Sequence, residues 1–104
     1  MKDTIILFID TSEINTAKVA IEVGDKRYEK ASESRVVKSQ MVLPLIETLL
    51  SEQKLKLSDI VAINVISGSG SFTGLRVGAT VANALGYLLD IPVNGKRSLV
   101  IPTY

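Results

Sequence analysis

Thr4-Ile5-Ile6-Leu7-Phe8-Ile9-Asp10-Thr11-Ser12 is the stretch that decides the fold. Five apolar residues run without alternation and then meet a polar turn. Such a run predicts a central strand covered on both faces. Working outward, Thr16 to Val23 alternates Ala17, Val19, Ile21 and Val23 against Lys18 and Glu22, which predicts a second strand. Gly24-Asp25 is a hairpin signal. The following residues, about Arg27 to Ser34, are polar enough for an edge strand.

Ser39 to Gln53 has helical spacing, with Ser39 a fitting N-cap. Pro44 lies about a turn inside, so a kink or a later start is expected. Ile60 to Ile66 reads as a fourth buried strand. A Gly/Ser loop, Ser67 to Ser71, leads into a second helix over Thr73 to Asp90. Ile91-Pro92-Val93 starts a short fifth strand, stopped at Asn94-Gly95. The pattern alone predicts one α/β domain with a mixed sheet of five strands and two main helices.

Composition removes whole classes of chemistry. The 104 residues contain no cysteine and no histidine. Disulfides, Cys/His zinc sites and the Ser-His-Asp triad are therefore excluded. A net charge of +1, with scattered lysines and arginines, does not suit an autonomous nucleic-acid binder. Met1-Lys2-Asp3 and the short apolar run after it lack a signal-peptide layout. No apolar stretch reaches the ~20 residues of a membrane span. A cytoplasmic location without membrane contact is the expectation.

Two polar turns leave the ends of buried strands. Asp10-Thr11-Ser12 is the first, and Ser67-Gly68-Ser69-Gly70-Ser71 opens the second helix. Free backbone N–H groups at such places favour anions, which makes Asp10, Thr11, Ser12, Gly68 and Gly70 phosphate-loop candidates. There is no G-x-x-x-x-G-K-[ST] run, and tight glycine-supported connections explain the same residues. Asp10 is read mainly as a turn cap. Asp10 and Asp59 fall after and before their respective strands, which argues against a shared catalytic site. No catalytic residue, metal site or cofactor is assigned.

The same turns carry a resemblance. Ile9-Asp10-Thr11-Ser12 is similar to the opening of TsaB proteins. Ser39-Gln40-x-x-Leu43-x-x-x-Ile46 resembles their first helix, and Gly68-Ser69-Gly70-Ser71-Phe72-Thr73-Gly74-Leu75-Arg76 their G-P-G-S-F-T-G-L-R. Ile91-Pro92-Val93, Gly95 and Ser98-Leu99 resemble I-P-V-x-G-x-x-S-L. These matches occur in order over nearly the whole chain. Lys38 stands where the family usually has histidine, and Ser69 where it usually has proline. The resemblance implies a ribonuclease-H-like, actin-like ATPase lobe over residues 1–104, with the usual second lobe absent. A naturally short single-lobe form is the expectation, with half of the nucleotide cleft missing.

What the resemblance further implies is an assembly role. A TsaB-like protein is expected to be a non-catalytic subunit that pairs with a TsaD-like transferase. That enzyme, helped by a TsaE-like ATPase, places threonylcarbamoyl on a tRNA adenosine, so tRNA is met only indirectly. A homodimer is an alternative pairing. The rival readings are a nucleotide-binding half-ATPase acting through self-association and a ribonuclease-H-like nuclease remnant.

The helices independently point to a protein partner. At about 100° per residue, Met41, Val42, Leu43, Leu45, Ile46, Leu49 and Leu50 cover an arc of roughly 200°. One sheet requires only about 100° or a little more. The polar arc of Arg76, Thr80, Asn83, Tyr87 and Asp90 spans only about 80° by the same arithmetic. Gly74, Gly78, Ala82 and Gly86 form a small-residue row at four-residue spacing. The expected partner interface is Met41, Leu45, Leu49, Gly74, Gly78, Ala82, Leu85 and Gly86, with the helices side by side.

Overall fold

The computed structural model describes residues 4–13, 16–33, 39–66, 68 and 72–96. The elements in order are β1 (Ile5–Asp10), β2 (Thr16–Val23), β3 (Lys26–Glu33), α1 (Ser39–Glu52), a 3₁₀ turn (Leu57–Asp59), β4 (Ile60–Val65) and α2 (Phe72–Leu89). They form one sheet in the order β3-β2-β1-β4. β1 runs antiparallel to β2 and parallel to β4, so it is paired on both sides.

Strand register follows from the apolar pattern. Leu7 stands between Ile21 and Ile63, and Ile9 between Val19 and Val65. Successive side chains on a strand point to opposite faces, so these six line one face together. All six are buried. Val42, Ile46, Leu49 and Leu50 of α1 and Leu75, Ala79, Ala82 and Leu85 of α2 close over that face. Their three- and four-residue spacing is that of a helical stripe. α1 lies over β2 and β3, and α2 over β4 and β1. Lys30 of β3 pairs with Glu52 at the end of α1, at 2.9 Å.

Pro44 lies within α1, and no later start is seen. It lacks an N–H for the carbonyl four residues back, so the early helix loses one rung rather than its course. A register shift between Ile5 and Ile6 leaves Val61 as an extra residue on β4, 48% exposed.

The fifth strand of the expectation shrinks to a bridge between Ile63 and Val93. Pro92 has no N–H to extend a ladder. Asn94 and Gly95, with φ of 52° and 76°, then turn the chain back to pair Lys96 with Val93. Ile63 donates to the Pro92 carbonyl at 3.0 Å and accepts from the Asn94 N–H at 2.8 Å. Past that point the Asn94 side chain replaces the missing backbone. Its Oδ1 accepts from the Val65 N–H at 2.8 Å, and its Nδ2 donates to the Val65 carbonyl at 3.0 Å. One amide side chain thus satisfies both outward backbone groups of the next rung of β4.

Asn94→Gly retains a residue that tolerates the left-handed backbone but deletes that amide. With two backbone groups of Val65 stripped of their partner, a loss of about 2–4 kcal/mol is expected. Chemical denaturation measures it, and a loss below about 0.5 kcal/mol would show that water serves Val65 equally well.

Candidate functional site

Asp10 ends β1 and caps the turn that follows. Its Oδ1 accepts from the Ser12 N–H at 3.0 Å and from the Ser12 hydroxyl. Thr11, between them, is fully buried under α2. A Cβ built on Gly78 would stand 2.6 Å from the Thr11 hydroxyl oxygen and 3.2 Å from a Val65 methyl carbon. The Asp10–Ser12 turn is therefore clamped to α2. Of the loop expected over Ser67–Ser71, only Gly68 is among the described residues, so the placement of Gly70 relative to Asp10 lies outside them.

The two carboxylates weighed for metal chemistry stand apart. Asp59 accepts from the Lys56 N–H at 2.9 Å, just before β4, whereas Asp10 closes β1. β1 and β4 are parallel and paired from Ile5/Ile60 to Ile9/Val65, with one extra residue on β4. At about 3.3 Å per residue, the carboxylates lie at opposite ends of the pair, roughly 20 Å apart along the strands. They cannot share a metal ion, and the nuclease reading loses its site.

Gly78, Ala82 and Gly86 of the small-residue row face inward, which corrects their place in the expected interface. Gly78 abuts Thr11, Val65 and Ile9. A Cβ on Gly86 would lie 2.5 Å from a Val93 methyl carbon and 3.3 Å from the Ile91 carbonyl oxygen. Ala82, Leu85 and Leu49 are core residues. Small side chains here let α2 settle onto the sheet, not onto a partner. Leu45 is half-buried at the rim, and the surroundings of Met41 and Gly74 lie outside the described side chains. α2 turns Arg76, Thr80, Ala84, Tyr87 and Leu88 outward, with Val77 and Val81 half-buried beside them. Tyr87 is 87% exposed, Leu88 74% and Leu43 of α1 41%. A 200° arc does not say which part meets the sheet; the glycines were the signal, since only they permit the closest approach.

The second face of the sheet is the other surface of note. Among the described residues no element packs over it, so β1 is covered by helices on one face rather than two. Phe8, Asp10, Lys18, Arg27, Asn64 and Ile66 line a cavity of about 290 Å³ there. Arg27 lies over the Phe8 ring, 4.6 Å from its centroid, and bonds to Glu29 at 2.9 Å and Glu22 at 3.1 Å. Glu29 holds the guanidinium above its usual range, and the Arg27 hydrogen bond holds the Glu29 carboxyl below its own. A carboxyl lowered in this way stabilises the fold above its unfolded pKa and loses that effect as pH falls through the folded one. Among the described residues no helix is long and apolar enough to cross a membrane.

Gly78→Leu is expected to lose about 3 kcal/mol or more, because the new side chain meets Thr11 and β4 with no room to move. Thr80→Ala, on the exposed side of α2, should stay within about 0.5 kcal/mol. Thermal unfolding of both checks this; equal tolerance would mean α2 does not sit against Thr11.

Comparison with known proteins places this architecture. The model of a family described as TsaD, tRNA N6-adenosine threonylcarbamoyltransferase, matches residues 33–101. The tRNA threonylcarbamoyladenosine biosynthesis protein TsaB of Haemophilus influenzae is 32% identical over 93 residues, which is 89% of this chain and 39% of that protein. That of Bacillus subtilis is 32% identical over 94 residues, 90% of this chain and 41% of the relative. That of Buchnera aphidicola from Schizaphis graminum is 33% identical over 97 residues, 93% and 46%. The chain thus spans less than half the length of these curated relatives. The structure of YeaZ from Pseudomonas aeruginosa superimposes with a TM-score of 0.81 at 30% identity, over 86% of this chain and 42% of that one. The fold is accordingly ribonuclease-H-like and actin-like, with four sheet strands among the described residues where five were expected.

Proposed function

The chain belongs to the family described as TsaD, tRNA N6-adenosine threonylcarbamoyltransferase, with its likeness on the TsaB/YeaZ side, and from this we propose that it is a non-catalytic interaction subunit of the machinery that makes threonylcarbamoyladenosine in tRNA. In this reading it pairs with a TsaD-like transferase through the outer faces of α1 and α2. A TsaE-like ATPase belongs to the wider assembly, and tRNA is reached only through the partner, in the cytoplasm.

The observation that carries the proposal is the apolar strip on the outer side of α2, where Leu88 is 74% exposed. Large apolar side chains grouped on one surface mark interaction sites. The stretch matched by the family model, 33–101, takes in both helices. The half-ATPase reading has weaker footing, because Asp10 already spends one carboxylate oxygen on Ser12. The nuclease reading falls with the separation of Asp10 and Asp59.

Leu88→Asp should weaken association with the TsaD-like protein of the same source by about tenfold or more, as expected for a charge set into an apolar contact. Calorimetric titration reads the affinity, and circular dichroism should be unchanged because Leu88 is external. Full-strength binding by Leu88→Asp, or no binding by the unaltered chain, would remove the proposal.

A further inference from the structure

The charges on the two helices are few enough to specify what kind of partner their outer face accepts. α2 carries one charged residue, Arg76, and α1 carries two, Glu47 and Glu52. Glu52 reaches Lys30 on β3, which places it on the flank of α1 away from α2. At about 100° per residue, Glu47 lies roughly 140° around α1 from Glu52 and 40° from Leu43, on the flank nearer α2. It is exposed, and among the described residues no ion pair or hydrogen bond engages it.

On α2, Val77, Val81, Ala84 and Leu88 share an arc of about 60°, and Arg76 lies roughly 110° from its centre. Gly78 abuts Ile9 and Thr11 on the β1 side, and Gly86 abuts Val93 beyond β4. The arc lies about 90° from Gly78 and about 170° from Gly86, so it flanks the side of α2 nearer α1, and Arg76 the opposite side. Of the three charges on the two helices, Glu47 is thus the one on a flank that borders the apolar strip. A helix laid along that strip removes water from the carboxylate. An unpaired charge in that position costs the complex an order of magnitude or more in affinity. A partner that binds there must return a cation to it.

Resting on the interaction-subunit reading above, we propose that the α1–α2 surface is matched to a heterologous helix carrying a lysine or arginine opposite Glu47, with apolar residues at three- and four-residue spacing beside it. A second copy fits less well. Its own strip is bordered by another Glu47, and its Arg76 stands on the far side of α2.

The test titrates the full chain with the TsaD-like protein at low and high salt. Glu47→Gln should weaken binding about tenfold and flatten its salt dependence, and Glu47→Lys should weaken it about a hundredfold, since like charges then meet. Both variants should fold normally, because Glu47 is exposed and no hydrogen bond or ion pair among the described residues engages it. If both bind normally while Leu88→Asp fails, the interaction surface stands and the charge match is overturned. If the unaltered chain does not bind, both readings fall. If Arg76→Ala and Glu47→Gln instead disrupt self-association equally and leave the heterologous complex intact, the surface is for a second copy and the proposal is overturned.

Discussion

The packing of α2 onto the end of the β1–β4 pair is the contact on which the other features depend. At Gly78 and Gly86 the helix comes so near the sheet that a single added carbon would overlap Thr11 or Val93. That proximity buries Leu75, Ala79, Ala82 and Leu85 and turns Tyr87 and Leu88 out. It also buries the Thr11 side chain, so the turn made by Asp10 and Ser12 is held between a strand end and a helix. Any larger residue in the row would lift the helix, open the core and rotate the outer strip together.

The sheet is protected at both edges by different means. β3 carries Lys26, Arg27, Glu29 and Lys30, and charged side chains along an edge discourage another strand. β4 has its outward backbone groups at Ile63 and Val65 taken by residues 92–94, the last rung by an asparagine side chain. Strand addition is therefore closed off along these rungs. That leaves the helix surface and the sheet face around Phe8 and Arg27, of which the helix surface offers the larger exposed apolar side chains. On the sheet face Arg27 already stacks over Phe8 between two glutamates, which shields the ring from water.

Element order, strand types and helix limits were legible in the sequence to within a residue or two. The reason is that the alternation of Thr16–Val23 and the helical runs each satisfy one period only, while the unbroken run Ile5–Ile9 is too short for a helix and suits a buried strand. The fifth strand was not legible in its true form. Ile91-Pro92-Val93 has strand composition, but whether a rung forms after Pro92 depends on where Asn94 comes to rest beside Val65. The packing of the helices was half legible. Both carry more apolar arc than the sheet covers, yet Gly78, Ala82 and Gly86, assigned to a partner from the sequence, belong to the core. Glu47 drew no notice because one glutamate on a helix has no meaning until its neighbours are known.

The sequence by itself determined the α/β lobe, the central place of β1, the absence of histidine and cysteine chemistry and the family likeness. These are properties of local pattern and of ordered motifs, which need no knowledge of distant contacts. Only the tertiary structure decided which side of α2 meets the sheet, which carboxylates are too far apart to cooperate, and which charge borders the outer strip. Those depend on distances between residues far apart in the chain, such as Gly78 and Thr11, and periodicity along a helix fixes angles between its side chains but not the direction in which the helix is turned.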